Sequence, residues 1–484
     1  PAVLGALTAF NPYMRHVSTC RGSVFYHNGI PCVIVLPFHV IHRQTKTINA
    51  ITETRMGNDE SDEDNLDYGN NNYVVKSGHW VLSRDWAKVS RIVKGTATKR
   101  PALDYFVVRT QEDLARATSL MDQFQVVACD IETAKNHVSC HGFYGLLPSG
   151  KCIGFVVPIL DQFKPDNQFW EEKEHIAIHR ALQRLYATPV LKVFQNGTYD
   201  CSFLVRDRMP PVNYRLDTIL MWHSLIPEID KSLDFISSIL FDDYQYWKAD
   251  IKGISGGAHT IKRDEDMETY WRYNILDCQY TLFIAMRLVP TLTSAPWAWE
   301  NYCKKLRQSH AGFILSMRGV KANFARREEL RDRYTELHEE ALASLRVQVA
   351  DPNFNPDSSV QKTKLIYGVL GAPPYTDKGK PVRNTAKPSS GKNALRMIKT
   401  LHPLYARILN QMEAAIEPRM QISNVCNMKL LTGRFRTNYS AVGTVTNRFG
   451  SRRSNFNDGG NAQNIRGASR DWLEADDGYV LFDV

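Results

Sequence analysis

The stretch "VVACDIETAK" (126–135) runs Val126, Val127 and Ala128 straight into two carboxylates, Asp130 and Glu132. A short apolar run of this kind predicts a buried strand. In a strand, side chains at i and i+2 leave the same face, so the two acids project together. Unneutralised they repel, and the arrangement asks for a cation or a shared proton. A chain that carries it has to build a sheet with a polar site on one face. Taken singly, D-x-E is most often a strand entering a polar turn, so the rest of the chain has to decide.

With 484 residues, 43% hydrophobic and 23% charged, the chain is globular and long enough for about two to four domains. A formal net charge of +9 and a pI near 9.0 point toward a polyanionic partner. Nine cysteines are scattered without a C-x-x-C pair, which argues for reduced thiols in a cytoplasmic setting and against a zinc site or a disulfide framework. No apolar run reaches the roughly 18 residues that span a bilayer, and no signal peptide is visible, so no membrane partner is expected. The chain opens at Pro1 without an initiator Met, as expected of a processed chain or of a start inside a longer reading frame.

Along the chain, 57–72 ("GNDESDEDNLDYGNNN") is acidic and Asn-rich and reads as an exposed loop. Before it, 29–43 reads as a buried strand and a turn; after it, 78–95 reads as a strand followed by a helix. From 101 to 290 short apolar strands alternate with helical patterns, the mark of an α/β layer fold. "QVVACDIE" and "CIGFVVPIL" (152–160) are expected to be neighbouring strands joined by a loop. A helix over 174–187 leads into a strand over 190–196. Beyond 300 long amphipathic helices take over: Leu330, Tyr334, Leu337, Ala341 and Leu345 share one helical face. Another helix is expected over roughly 393–424, and the last sixty residues show little helical period.

Asp130 and Glu132 have company. "VFQNGTYDCSFL" (193–204) carries Asn196 and Asp200 where a strand gives way to a helix, and "TYWRYNILDCQYTLFIAMRL" (269–288) carries Tyr273 and Asp277 on one helical face. Asp217 stands before an apolar helix. Four acids from three separated elements are what a two-metal site needs, and hard Mg²⁺ or Mn²⁺ prefers carboxylate oxygens. D-I-E-T, then N-x-x-x-D, then Y-x-x-x-D, in this order, resembles the proofreading 3′→5′ exonuclease of the DEDD superfamily, Tyr-containing branch. The intervening 217–235 resembles the segment that follows the second motif in DNA polymerase I. The resemblance implies that Asp130, Glu132, Asp200 and Asp277 bind the two metals and that Tyr273 orients the attacking water. Cys129, Cys201 and Cys278 neighbour the acids and are read as small buried side chains without chemistry.

In the second half, 313–323, 351–373 and 402–413 resemble the thumb of family A DNA polymerases. "GTVTNRFGSRRSNFNDGGNAQNI" (443–465) is similar to that family's T-x-T-G-R-L … Q-N-I segment, with Asn447 in place of the Gly and Phe449 in place of the Leu. From Arg419 to Arg470 there are nine Lys/Arg against one acid, Asp458, which suits contact with a phosphate backbone. The resemblance assigns DNA contact to Arg448, Arg452, Arg453, Gln463, Asn464 and Asn196, with Arg448 and Gln463 facing the primer–template. "EADDGYVLFDV" reads as the strand leading to the first palm motif, whose Asp is expected just beyond Val484. A second polypeptide carrying the rest of palm and fingers is therefore expected. Residues 21–43 loosely resemble a uracil-DNA glycosylase-like domain, with the family's His-Pro falling near Pro37 and Phe38, so a non-catalytic remnant is expected.

The fold expected is thus an α/β exonuclease domain with an RNase H-like mixed sheet and flanking helices (101–290), after an α/β N-terminal module (1–97). A mainly helical thumb (295–430) and an incomplete palm (431–484) follow. The expected partners are a single-stranded DNA 3′ end and primer–template, with two Mg²⁺ or Mn²⁺ ions, in the bacterial host cytoplasm if the chain is phage-encoded. Two other readings remain: a stand-alone RNA-trimming exonuclease, which usually has helical RNA-binding domains after the nuclease, and a catalytically silent DNA-binding assembly subunit, against which the full acid set argues.

Overall fold

The computed structural model describes residues 20–27, 30–35, 78–134, 136–161, 164, 167–248, 264–382, 387–465 and 467–481. The acidic stretch 57–72, Pro37 and Phe38, Arg466 and residues 482–484 lie outside them. By contact the chain divides into two compact units, Pro1–Leu315 with Tyr439–Gly450, and Ser316–Asn438 with Ser451–Val484.

The first unit is built on strands β1 (Val24–His27) to β8 (Tyr214–Asp217), of which six form one sheet. These are β3 (Tyr105–Val107), β4 (Val126–Ala134), β5 (His137–Leu146), β6 (Cys152–Pro158), β7 (Leu191–Phe194) and β8, in the order β3-β6-β5-β4-β7-β8. β5 runs antiparallel to both β4 and β6, while β4, β7 and β8 run parallel. The sequence placed β4 and β6 side by side; β5 lies between them instead. Its "HVSCHGFYGL" looks like a loop because His, Ser and Gly interrupt the apolar run, yet Val138 through Gly145 are all buried. A strand covered on both faces need not alternate.

Helices cover the two faces. On one side lie α2 (Gln111–Gln123) and α3 (His175–Ala187), which buries Leu182, Leu185 and Tyr186, the last with its ring on Phe143, itself stacked on Phe155. On the other lies α7 (Asp264–Thr293), with Ile275, Cys278 and Leu282 fully buried at helical spacing. Two glycines admit it: a Cβ on Gly142 would collide with Asn274 and stand 2.8 Å from Cys278 Sγ, and one on Gly154 would meet Ile275 at 2.7 Å. Met267–Thr293 is long and apolar enough to match a membrane span in composition, and 72% of its apolar window is buried inside the protein.

Helix α1 (Gly78–Val93) is helical throughout, where the sequence suggested a strand first. Its inward face, Val81, Asp85 and Lys88, has the helical spacing but is mostly charged, which hides the period. Arg21 reaches Asp85 at 2.5 Å, and Lys88 Nζ donates to the carbonyls of Gly22 (2.9 Å) and Ser238 (2.6 Å). These contacts fasten Arg21, Gly22 and α1 to α6 (Leu233–Leu240). Removing Arg21 would take the hydrogen-bonded cation from buried Asp85 and leave Lys88 to offset its charge in part, a loss of at most about 3–5 kcal/mol. Short helices α4 (Thr198–Arg206) and α5 (Thr218–Leu225) follow β7 and β8, and α8 (Pro296–Arg318) follows α7.

The second unit is mainly helical. Phe324–Val349 is a single helix that buries Leu330 and Leu345, while Leu337 of the expected face is 42% exposed. The helix expected over 393–424 is broken: Lys392–Leu401 and Ala406–Gln421 are separated by His402 and Pro403, since a residue before proline avoids the helical region and His402 sits at φ −135°. Arg434–Phe435, Val320–Ala322 and Leu473–Glu474 form a small antiparallel sheet over Phe435 and Trp472. The expected strand beyond Gly478 is not formed over 479–481: Val480 and Leu481 are exposed and have no strand neighbour among the described residues.

Candidate acidic metal centre

β4 presents Asp130 and Glu132 on the face that α7 crosses, opposite Gly142 and Cys140 of β5. α7 lays Tyr273, Asn274 and Asp277 over them. Carboxylate oxygens of Asp130, Glu132 and Asp277 all lie within 4.8 Å of one another. The like charges that the sequence placed two residues apart are thus joined by a third.

Each acid is held. Asn274 Nδ2 donates to Asp130 Oδ2 at 2.7 Å, and Trp247 Nε1 donates to Asp277 Oδ1 at 2.6 Å. The Tyr273 hydroxyl donates to the Asp277 carboxylate. Lys248, paired with Asp234 at 3.5 Å, is a nearby cation that acts on both Asp277 and Glu132. Burial, then the charge of Glu132, pushes Asp130 well above the usual carboxylate range; burial and Asp277 do the same to Glu132. Burial lifts Asp277 to about 6, with Lys248 and the Trp247 and Tyr273 hydrogen bonds opposing it. An all-oxygen set whose members raise one another's proton affinity is suited to a hard divalent cation.

Asp200 stands beside this group and outside the set of three. It is buried in the first turn of α4, and its Oδ1 accepts the Ile131 N–H at 3.1 Å, so it clamps the backbone between the two β4 acids. Burial raises it to about 8 despite that bond. Asp217 serves the fold: it accepts from the backbone N–H of Asn196 (3.1 Å), Gly197 (2.9 Å) and Ile219 (3.0 Å) and from the Tyr214 hydroxyl (2.5 Å). That capping holds Asn196 at φ +59° and fixes the turn into α4. Cys129, Cys201 and Cys278 are buried, with burial pushing each thiol up. Asn274, Trp247 and Lys248 were not singled out from sequence; Asn274, next to Tyr273 on α7, was the only one with a signal, one residue from a motif position.

The residues expected to meet DNA belong to both units. Arg448 is exposed at the tip of a turn in which Thr444 Oγ1 accepts the Arg448 N–H (3.0 Å) and donates to its carbonyl (3.1 Å). Asn447 there has φ +64°, a conformation open to Gly and tolerated by Asn, which accounts for the exchange at this motif position. Arg452, Arg453, Gln463 and Asn464 are exposed in the second unit. The basic run is less free than its composition implied. Arg419 pairs with Asp357 (2.5 Å), Arg434 binds Asp476 through both nitrogens (2.7 and 2.8 Å), Arg436 reaches Asp458 (3.4 Å), and Arg470 Nε donates to the Ile465 carbonyl (2.8 Å).

No protein-family model matches this chain, and no curated protein does. In three dimensions it is similar to the POL domain of Pol1 from M. smegmatis, solved in complex with DNA primer-template and dNTP, with a TM-score of 0.53 at 15% sequence identity. The match covers 78% of this chain and 59% of that one, so the chain spans about three-fifths of the length of its neighbour. At this identity the likeness is one of fold alone.

Proposed function

We propose that this chain is the exonuclease-bearing front part of a family A-type DNA polymerase, and that it removes nucleotides from the 3′ end of single-stranded DNA. The observation that carries the reading is the convergence of Asp130, Glu132 and Asp277 within 4.8 Å, with Tyr273 bonded to one of them. Asp130, Glu132 and Asp277, with Asp200 beside them, would hold two Mg²⁺ or Mn²⁺ ions. When bound, such ions activate water and offset the charge that gathers on the scissile phosphate.

The chain's own residues do the rest. Tyr273 donates its hydroxyl hydrogen bond to Asp277 and keeps its lone pairs for the incoming water, which it orients. Trp247 and Asn274 fix the rotamers of Asp277 and Asp130, so the carboxylates do not have to reorganise. Water adds to the terminal phosphorus, the bond from phosphorus to the 3′ oxygen breaks, and that oxygen takes a proton. A nucleoside 5′-monophosphate leaves and a new 3′ hydroxyl remains.

On the polymerase side, Arg448, Arg452, Arg453, Gln463 and Asn464 are assigned to primer–template. The test is digestion of a 3′-labelled oligonucleotide in Mg²⁺, in EDTA, and with Asp130→Ala/Glu132→Ala. Digestion should stop in EDTA and fall by at least about a thousandfold in the variant. Trimming by the variant at the wild-type rate would remove the acid cluster from the reaction.

A further inference from the structure

The side of the sheet away from the acid cluster holds a cavity of about 780 Å³, within the range of small-molecule sites. Strand alternation sends Cys140 and Gly142 toward α7 and His141 the other way, onto α3. His141 is 2% exposed and forms part of the cavity wall. Its Nδ1 is bonded to the Tyr186 hydroxyl at 3.0 Å, and its Nε2 has no partner among the described residues. Burial takes this ring down to about 3, so it is neutral and offers one polar nitrogen to whatever fills the cavity.

The floor is apolar: Ile178, Leu182 and Met209 are buried there. The rim is cationic. Arg206 is neutralised by Asp207 at 2.7 Å, but Arg180 on α3 and Arg208 after α4 have no ion pair among the described residues. A matching ligand needs an anionic group for two guanidiniums, a flat apolar body for the floor, and a heteroatom for one imidazole nitrogen. Arginine forks match phosphate in geometry as well as charge.

We propose that this cavity binds a mononucleotide, its phosphate on Arg180 and Arg208 and its base on the apolar floor beside His141. The site is separate from the acid cluster and needs no metal. The test is calorimetry of thymidine 5′-monophosphate with the whole chain, in EDTA and in the Asp130→Ala/Glu132→Ala background, so that the acid cluster does not contribute. One saturable site is expected, with thymidine and inorganic phosphate each weaker by at least about tenfold. Arg180→Ala with Arg208→Ala should weaken binding about 10- to 100-fold. Both arginines are exposed, so that variant keeps the fold. His141→Phe, which removes the free nitrogen, should weaken binding more than His141→Gln, which retains polar atoms. An absence of saturable heat would overturn the proposal, as would equal binding of inorganic phosphate or no change in the double arginine variant. Saturable binding of a polyglutamate peptide without any response to the nucleotide would give the surface to an acidic protein segment and overturn it too.

Discussion

The two faces of the six-stranded sheet share a strand and differ in everything they offer a ligand. Toward α7, β4 and β5 present Asp130, Glu132 and two small residues, and the covering helix adds a third acid. Toward α3, the same β5 presents His141, and the surrounding helices add arginines. One face is filled by a close-packed helix and gathers negative charge that only a cation relieves. The other leaves room and gathers positive charge that suits an anion. A period of two along one strand is enough to hold such opposite surfaces a single backbone layer apart.

The largest effect that would sharpen this contrast is removal of Asp277. Asp277→Ala should lower oligonucleotide digestion by at least about a thousandfold, because it takes one ligand and the Tyr273 anchor at once. Thymidine monophosphate binding measured on the same protein should persist. If both readouts collapse together while the protein stays folded, the two faces are not independent sites.

Tyr273→Phe comes next. It deletes one hydroxyl and leaves every carboxylate in place, so the loss should be about 10- to 1000-fold, the range for one positioned catalytic group. Metal dependence, titrated with Mn²⁺, should barely move. A loss equal to that of Asp277→Ala would make Tyr273 a ligand or a structural residue.

Gly142→Ala probes the packing that keeps the acid face closed. The added methyl collides with Asn274 and Cys278, and overpacking of this kind costs about 1–3 kcal/mol. Urea unfolding reads the loss directly. An unchanged midpoint would mean that α7 is free to shift and that the carboxylate geometry is not set by that glycine.

The smallest effect is a pH slope. Asp277 at about 6 and Asp200 at about 8 both lie above their unfolded value near 3.8, so the native state holds more protons than the unfolded chain across that interval. Stability in EDTA should therefore fall as pH rises from about 4 to 8, and recover as pH is lowered. Mg²⁺ should flatten the slope and raise Tm. A slope of the opposite sign would show that the acids are already neutralised by something other than protons.

Much of the acid face was legible because its residues sit on regular elements with regular periods. Asp130 and Glu132 follow from a period of two, and Tyr273 with Asp277 from one helical turn. What did not show was contributed by tertiary packing. Trp247 and Lys248 come from a connecting segment with no period, and the Asp200 bond to the Ile131 N–H depends on how β4 meets α4. α1 was misread because Asp85 and Lys88 are buried as partners, so the helical stripe is charged. β5 was misread because both of its faces are covered. The cationic face was invisible for a different reason: His141, Arg180 and Arg208 belong to three elements, and no spacing links them.

Trp247 has a use beyond holding a rotamer. Its indole N–H ends on Asp277 Oδ1, so the ring is wired to the charge of the acid cluster. Indole emission shifts with the field at that nitrogen, and the protein thus carries its own optical probe of cation occupancy. The spectrum that Trp247→Phe removes, among nine tryptophans, should be the part that changes as Mn²⁺ is added.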